Sequence, residues 1–219
     1  MATEIELKLE IAPPQVLTLQ NHPLLAPLSS SLHTLENVYY DTTDYQLQNN
    51  NLGLRTRFNG KDWCQTLKRE RSAGDVSDRE SLEGLHLRDE WETAIAGSSL
   101  ELAGLATAGC KQRMIEWLTS LQLKPIFSTH FQRQQWTLID GDTEVELVLD
   151  QGDVRVAGAT TPISEIEIEL KRGDIATLQR VCRQLQAAMP LTPSNVSKSA
   201  RGYQLRAAID MPNMQESDH

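Results

Sequence analysis

Apolar and polar positions alternate with period two along much of the chain, the pattern of strands with two unlike faces. Such alternation predicts strands over roughly 3–10, 36–42, 52–58, 62–70, 86–95, 131–139, 143–150 and 163–170. Turn residues punctuate them: Asn59-Gly60, Asp140-Gly141 and, after the seventh strand, Gln151-Gly152. Helical patterns are fewer. Pro13-Pro14 can open a short helix to about Leu19, and 99–108 and 111–121 have helical composition with Gly109 as a break. Asp174 is a good N-cap for 175–188, where Leu178, Val181, Cys182 and Leu185 recur at i, i+3, i+4, i+7. Residues 197–209 read as a last helix. The segment 71–85 reads as a mobile loop, and MPNMQESDH at the end reads as disordered. The class is α+β, with an antiparallel sheet and helices packed around it.

The polar faces of these strands are ordered. Glu4, Glu6, Lys8 and Glu10 share one side of the first strand, opposite Ile5, Leu7 and Leu9. Arg55 and Arg57 share a face, as do Thr66 and Lys68, and as do Arg88, Glu90 and Glu92. Glu144, Glu146 and Asp150 lie opposite Val145, Leu147 and Leu149; Glu165, Glu167 and Glu169 lie opposite Ile166 and Ile168. One such strand is ordinarily a solvated surface. Several together crowd carboxylates that repel, and they need arginines, lysines or a hard divalent cation between them. An antiparallel barrel closed with its charged face inward, and its apolar face under the helices, makes that arrangement coherent.

Composition narrows the class further. The 219 residues carry 21 Lys plus Arg against 30 Asp plus Glu, a net charge of −9, which argues against a nucleic-acid partner. No run reaches the ~18 apolar residues of a membrane helix, so no membrane role is expected. The N-terminus has acids at once and no apolar run, unlike a signal peptide. Three scattered cysteines, Cys64, Cys110 and Cys182, argue against a disulfide framework or a cysteine zinc site, and the expected location is cytoplasmic. The five histidines are scattered and read as surface or loop residues. Tyr39 and Tyr40 read as plain strand residues, and the four tryptophans as packing on the outer face.

The motifs form an ordered series. Glu4-x-Glu6-x-Lys8 is followed by Tyr39-Tyr40-Asp41-Thr42, Leu54-Arg55-Thr56-Arg57, Lys68, Arg88-x-Glu90, Phe131-Gln132-Arg133, Leu149-Asp150, Glu165-x-Glu167-x-Glu169 and Ser197-Lys198-x-x-Arg201-Gly202-Tyr203. This series resembles the CYTH family, also called triphosphate tunnel metalloenzymes, over about residues 3–205, and within it the bacterial inorganic triphosphatase branch. The resemblance implies a single domain over 1–205, an eight-stranded antiparallel tunnel, followed by a disordered tail over 206–219. In the branch it resembles, a helical CHAD domain often follows; none does here, so the chain is expected to be a stand-alone form or the first part of a longer one.

By the same resemblance, Glu4, Glu6, Asp150, Glu165, Glu167 and, less closely matched, Glu169 are ligands of Mg²⁺ or Mn²⁺. Lys8, Arg55, Arg57, Lys68, Arg133 and Lys198 bind phosphates, with Arg201 assisting and Glu90 in the lumen. Glu4, Glu6, Lys8, Glu165 and Glu167 are the catalytic set. The implied substrate is tripolyphosphate, cleaved to pyrophosphate and phosphate. A cationic lumen suits it, because phosphoryl transfer asks mainly for positioning and charge stabilisation. The alternatives are an organic triphosphate such as thiamine triphosphate or a nucleotide, a class IV adenylyl cyclase, and a polyphosphate-binding module without catalysis.

Overall fold

The structure is a computed structural model that describes residues 2–71 and 83–210. Eight strands close into an antiparallel barrel: β1 (Ala2–Glu10), β2 (Ser30–Asp41), β3 (Leu52–Phe58), β4 (Trp63–Glu70), β5 (Leu85–Ile95), β6 (Lys124–Asp140), β7 (Thr143–Val156) and β8 (Ala159–Arg172). The order around the barrel is β5-β4-β3-β2-β6-β7-β8-β1, and pairing of β1 with β5 closes it. A two-residue strand, β9 (Thr192–Pro193), adds to β1 at Leu9 and Glu10. The helices are α1 (Val16–Gln20), α2 (Gln46–Asn49), α3 (Gln112–Ser120), α4 (Ile175–Ala188) and α5 (Lys198–Asp210), with 3-10 turns at Pro13–Gln15 and Leu102–Ala108.

The apolar face of the strands points outward, as the alternation requires once the charged face closes inward. Leu7, Leu9, Leu147, Leu149, Ile166 and Ile168 pack under Leu178, Val181, Cys182 and Leu185 of α4. Asp174 caps that helix, accepting the Ala176 N–H at 3.0 Å. On the other side Leu54, Leu67 and Trp91 pack under Leu105, Ile115 and Leu118. Trp91 and Trp136 are buried in these outer layers, as expected.

Helix α5 departs from this arrangement. The sequence suggests an outer cover, but Tyr203 joins Tyr39, Phe127, Phe131, Val154 and Ile163, which continue the inward faces of β2, β6, β7 and β8. Toward this end the inward face changes from charged to aromatic, since Phe127 and Phe131 share parity with Arg133. An apolar inner wall gives α5 something to bury against. Gly202 is required at the contact, because a Cβ there would lie 2.3 Å from the Phe127 ring. The helix runs to Asp210, five residues into the segment assigned to a disordered tail; residues 211–219 lie outside those described. Most of the 71–85 loop also lies outside, and β5 begins at Leu85.

Two strand boundaries correct the sequence reading. Gln151-Gly152 is no turn: both lie inside β7, and the chain reverses at Ala157-Gly158, both at positive φ. Gly152 is there for clearance, since a Cβ would sit 2.1 Å from the His130 carbonyl on β6. Strands β2, β6, β7 and β8 also run beyond the alternating windows. Ser30–Thr34 is exposed on both faces, so that part of β2 leaves no alternation to read.

On the outer wall, Asp89 is fully buried and accepts hydrogen bonds from Arg69 Nε at 3.1 Å, Arg69 Nη2, and Arg71 Nε at 3.0 Å. Burial pushes its carboxyl up, but the bonds and charges of Arg69 and Arg71 outweigh that and hold it below the usual value. A depressed folded-state value stabilises the fold above the unfolded pKa of about 3.9, and that stability is lost as pH falls through the folded value. Asp89→Asn is therefore expected to cost about 1–2 kcal/mol at pH 7, at the low end because both arginines are partly exposed. Thermal melts should show a difference between variant and wild type that shrinks below pH 4.

Candidate functional site

The barrel encloses a cavity of about 580 Å³. Its wall includes Glu4, Glu6 and Lys8 of β1, Arg55 and Arg57 of β3, Lys68 of β4, and Glu90 of β5. Arg133 of β6, Glu167 and Glu169 of β8 and Lys198 of α5 complete that set. The strands bring them together by register. Lys8 lies opposite Glu167 and Glu6 opposite Glu169 across β1 and β8; Lys68 lies opposite Glu90, and Arg133 opposite Asp150. Directly opposed residues share a face, so register alone turns these charges on one another.

The charges form three groups. In the first, Lys8 Nζ lies 2.9 Å from Glu165 and 2.8 Å from Glu167. Lys198 Nζ lies 2.6 Å from Asp150, 2.5 Å from Glu165 and 2.9 Å from Glu167. Arg133 donates to both oxygens of Asp150, at 2.8 and 2.6 Å, and to Glu167 at 2.8 Å. Asp150 and Glu165 are fully buried behind these cations rather than bare to the cavity. Arg201 is more peripheral, 3.5 Å from both Glu165 and Glu10. Burial pushes the Lys198 ammonium down, but Asp150, Glu165 and Glu167 more than reverse it and raise it. Burial likewise raises Glu167, and Lys198, Lys8 and Arg133 hold it far below the usual carboxylate range.

In the second group, Lys68 Nζ lies 2.5 Å from Glu4 and 3.4 Å from Glu90. Arg88 reaches Glu6 at 2.7 Å, Glu70 at 2.6 Å and Glu4 at 3.6 Å. His86 steadies Arg88, its Nδ1 accepting from Arg88 Nη2 at 2.9 Å while its Nε2 donates to the Ser194 carbonyl at 3.1 Å.

The third group is different. Arg55 Nε contacts Thr66 Oγ1 at 3.4 Å, and Arg57 Nε donates to Asn37 Oδ1 at 2.7 Å. Among the described residues neither guanidinium has a carboxylate within ion-pair distance, 4.0 Å. Burial, Arg55 and Arg133 together pull Arg57 down to about 10. Burial also pulls Arg55 down, but Tyr39, Glu92 and Glu90 more than reverse it and raise it. The local shortage of negative charge is thus at Arg57, and an anion in the cavity would supply it.

The carboxylates suit a hard divalent cation. Oxygens of Asp150, Glu165 and Glu167 lie within 4.8 Å of one another, although Lys8, Lys198 and Arg133 already neutralise them. Glu4 fits a cation better. Its Oε2 is buried against the cavity with no hydrogen-bond partner, and Glu6 and Glu169 line the same cavity. Burial pushes Glu169 up to about 7, Lys171 opposes that, and the charge of Glu4 adds to it. A cation there would relieve both.

Several lining residues escaped the sequence reading. Arg88 and Glu92 sit on the charged face but were assigned no site role. Lys171 pairs with Glu169 at 2.8 Å and simply continues the 165, 167, 169 period. Tyr39 lines the cavity and stacks on Phe127 at 4.6 Å; it shares parity with Asn37 and Asp41, but an uncharged ring beside a second tyrosine carries no charge signal. His86 is buried within β5 and is neither a surface nor a loop residue, while His22 is buried within its loop.

Arg57→Gln keeps an amide for Asn37 and removes the crowded charge. It is expected to leave the ligand-free melting temperature unchanged or raise it by about 1–3 °C, since like-charge repulsion falls. It should lower affinity for tripolyphosphate about tenfold or more. Thermal shift with and without tripolyphosphate checks both; a drop in ligand-free stability with full affinity retained would contradict the charge shortage.

Comparison with known proteins agrees with this geometry. The inorganic triphosphatase of Haemophilus influenzae is 34% identical over 212 residues, covering 94% of this chain and 55% of that protein, so the chain spans about half the length of that relative. Among solved structures, HpAC1 from Hippeastrum superposes with a TM-score of 0.63 at 18% identity, covering 97% of this chain and 99% of that one; it is described as having a dominant triphosphatase activity. PH1819 from Pyrococcus horikoshii superposes with a TM-score of 0.55 at 15% identity, covering 92% and 99%. These two share the fold. The family model described as the CYTH domain matches residues 2–203, and with the closed barrel and its charged lumen in place, this chain belongs to the CYTH domain family.

Proposed function

We propose that the lumen binds inorganic triphosphate and hydrolyses it to pyrophosphate and phosphate with a divalent cation. The observation that carries this reading is the charge arrangement. Arg55 and Arg57 line the cavity with no carboxylate at ion-pair distance, in the same lumen as an array of acids that includes a Glu4 oxygen with no hydrogen-bond partner, 3.6 Å from Arg88. The likeness to the Haemophilus influenzae inorganic triphosphatase supports it. The described residues contain no helix long and apolar enough to cross a membrane.

In this reading Arg55 and Arg57 grip one part of the polyanion bidentately, while Lys8, Arg133 and Lys198 exchange carboxylate oxygens for phosphate oxygens. Lys68 and Arg88 hold Glu4 and Glu6 in orientation. Glu4, Glu6 and Glu169 would hold the cation, with Asp150, Glu165 and Glu167 as further donors. Mg²⁺ or Mn²⁺, when bound, offsets charge on the phosphate oxygens and favours ionisation of a water. The carboxylates would orient the attacking water, and the fixed cations would stabilise the charge that develops on the leaving pyrophosphate.

Phosphate release from tripolyphosphate, ATP, thiamine triphosphate and long-chain polyphosphate, each with Mg²⁺ and with Mn²⁺, tests the reading. Tripolyphosphate is expected to be the preferred substrate. Chelation with EDTA should abolish turnover and added Mg²⁺ should restore it. Glu4→Gln should lose about 100-fold or more in kcat with the fold retained by circular dichroism. Full turnover in excess EDTA, or faster release from ATP or thiamine triphosphate, would overturn it.

A further inference from the structure

Asp41 ends strand β2 and is fully buried. Its Oδ1 accepts the N–H of Thr42 at 2.7 Å and of Leu47 at 2.8 Å, with the Thr42 hydroxyl at 3.5 Å. Its Oδ2 accepts the N–H of Gln48 at 3.0 Å and the hydroxyl of Tyr203 at 2.7 Å. One carboxylate therefore ties together the end of β2, the start of α2 and the middle of α5. The donors are neutral, and a buried carboxylate is tolerable on that basis because each one replaces a lost water. The ring of Tyr203 meets Phe127 edge-on at 5.3 Å and Tyr45 at 5.8 Å. Gly202 lets the helix come that close to Phe127.

Lys198 lies five residues before Tyr203 on the same helix, roughly 7.5 Å along its axis. Its ammonium sits among Asp150, Glu165 and Glu167, with Arg133 and Lys8 as repelling neighbours. Those carboxylates hold Lys198 in the ligand-free protein. When Lys198 exchanges these carboxylates for phosphate oxygens, the ion pairs no longer anchor the helix to the strands.

We infer that Asp41, acting through the Tyr203 hydroxyl, is a positioning residue that keeps α5 seated so that Lys198 stays in the lumen while substrate is bound. This rests on the triphosphatase reading for what Lys198 does, but the anchoring itself does not. Tyr203 lines the cavity, but its bond to Asp41 uses none of the carboxylates that Lys198 pairs with, so the anchor is separate from those ion pairs.

Tyr203→Phe removes the hydroxyl and keeps the ring against Phe127. It is expected to raise KM for tripolyphosphate about tenfold with kcat within about twofold, because a hydrogen bond to an ionised group is at stake and the reacting atoms are untouched. In a double-mutant cycle, Tyr203→Phe on top of Lys198→Ala should cost almost nothing more. Amide exchange in the ligand-free variant should quicken along α5 and leave β1, β7 and β8 unchanged. Asp41→Asn should reproduce the loss; should it fail to fold, Tyr203→Phe decides alone. Additive losses in the cycle, or an unchanged KM, would overturn the inference. If wild type neither binds nor cleaves tripolyphosphate, the hydrolase reading fails, and the anchoring is then judged by exchange: unaltered protection of α5 in Tyr203→Phe overturns it.

Discussion

The structure depends on how charges are neutralised inside a closed barrel. Removing a single ion from water costs several kcal/mol even after the protein relaxes, so an inward-facing ionic strand is tolerable only if its charges meet opposite ones. Register does this across β1, β8, β7 and β6, where Lys8, Glu167, Glu165, Asp150 and Arg133 are bound into one network that Lys198 completes from α5. The same rule makes Arg55 and Arg57 informative. Neither guanidinium has a carboxylate at ion-pair distance, and Arg57, crowded by Arg55 and Arg133, marks where an outside anion belongs.

The outer layers are the complement of this lumen. Because the charged face turns inward, the apolar face of every strand must be covered from outside, and α4 and α3 with the 3-10 turn at Leu102–Ala108 do so in two separate clusters. A third cluster, around Phe127 and Tyr203, lies on the inward face. It gives α5 an apolar seat beside the ionic network, and so allows one helix to contribute both packing and the Lys198 ammonium. The cavity is thus lined by rigid strands on most sides and by a docked helix on one. That helix is held by a hydroxyl, a glycine contact and its own ion pairs.

Much of the fold was legible. The alternation in Glu4–Glu10, Glu144–Asp150 and Glu165–Glu169 located strands and separated their faces, and Asp174 with its apolar stripe located α4. The phosphate and cation candidates were found because they carry formal charge at fixed parity. What escaped was of other kinds. Tyr39 is uncharged and is followed by a second tyrosine, so the charge pattern does not single it out. Lys171 lies past the point where the reading of the strand stopped. His86 acts through Arg88 and has no spacing signature. Gly152 mimicked a turn, when its small size serves an approach between strands that are distant from a turn.

The sequence by itself determined which residues share a side of each strand, because side chains alternate every residue regardless of context. It also determined that the charged sides need neutralising. Which side closes inward, which carboxylate meets which cation, and that β1 pairs with β5 were decided only by the tertiary structure. So was the seat of α5, since 197–209 reads equally well as an outer cover. These depend on contacts between residues as far apart as Asp41 and Tyr203 or Lys8 and Glu165. Local periodicity carries no information about such pairs: they are chosen by the free energy of burying all the charges and apolar faces at once.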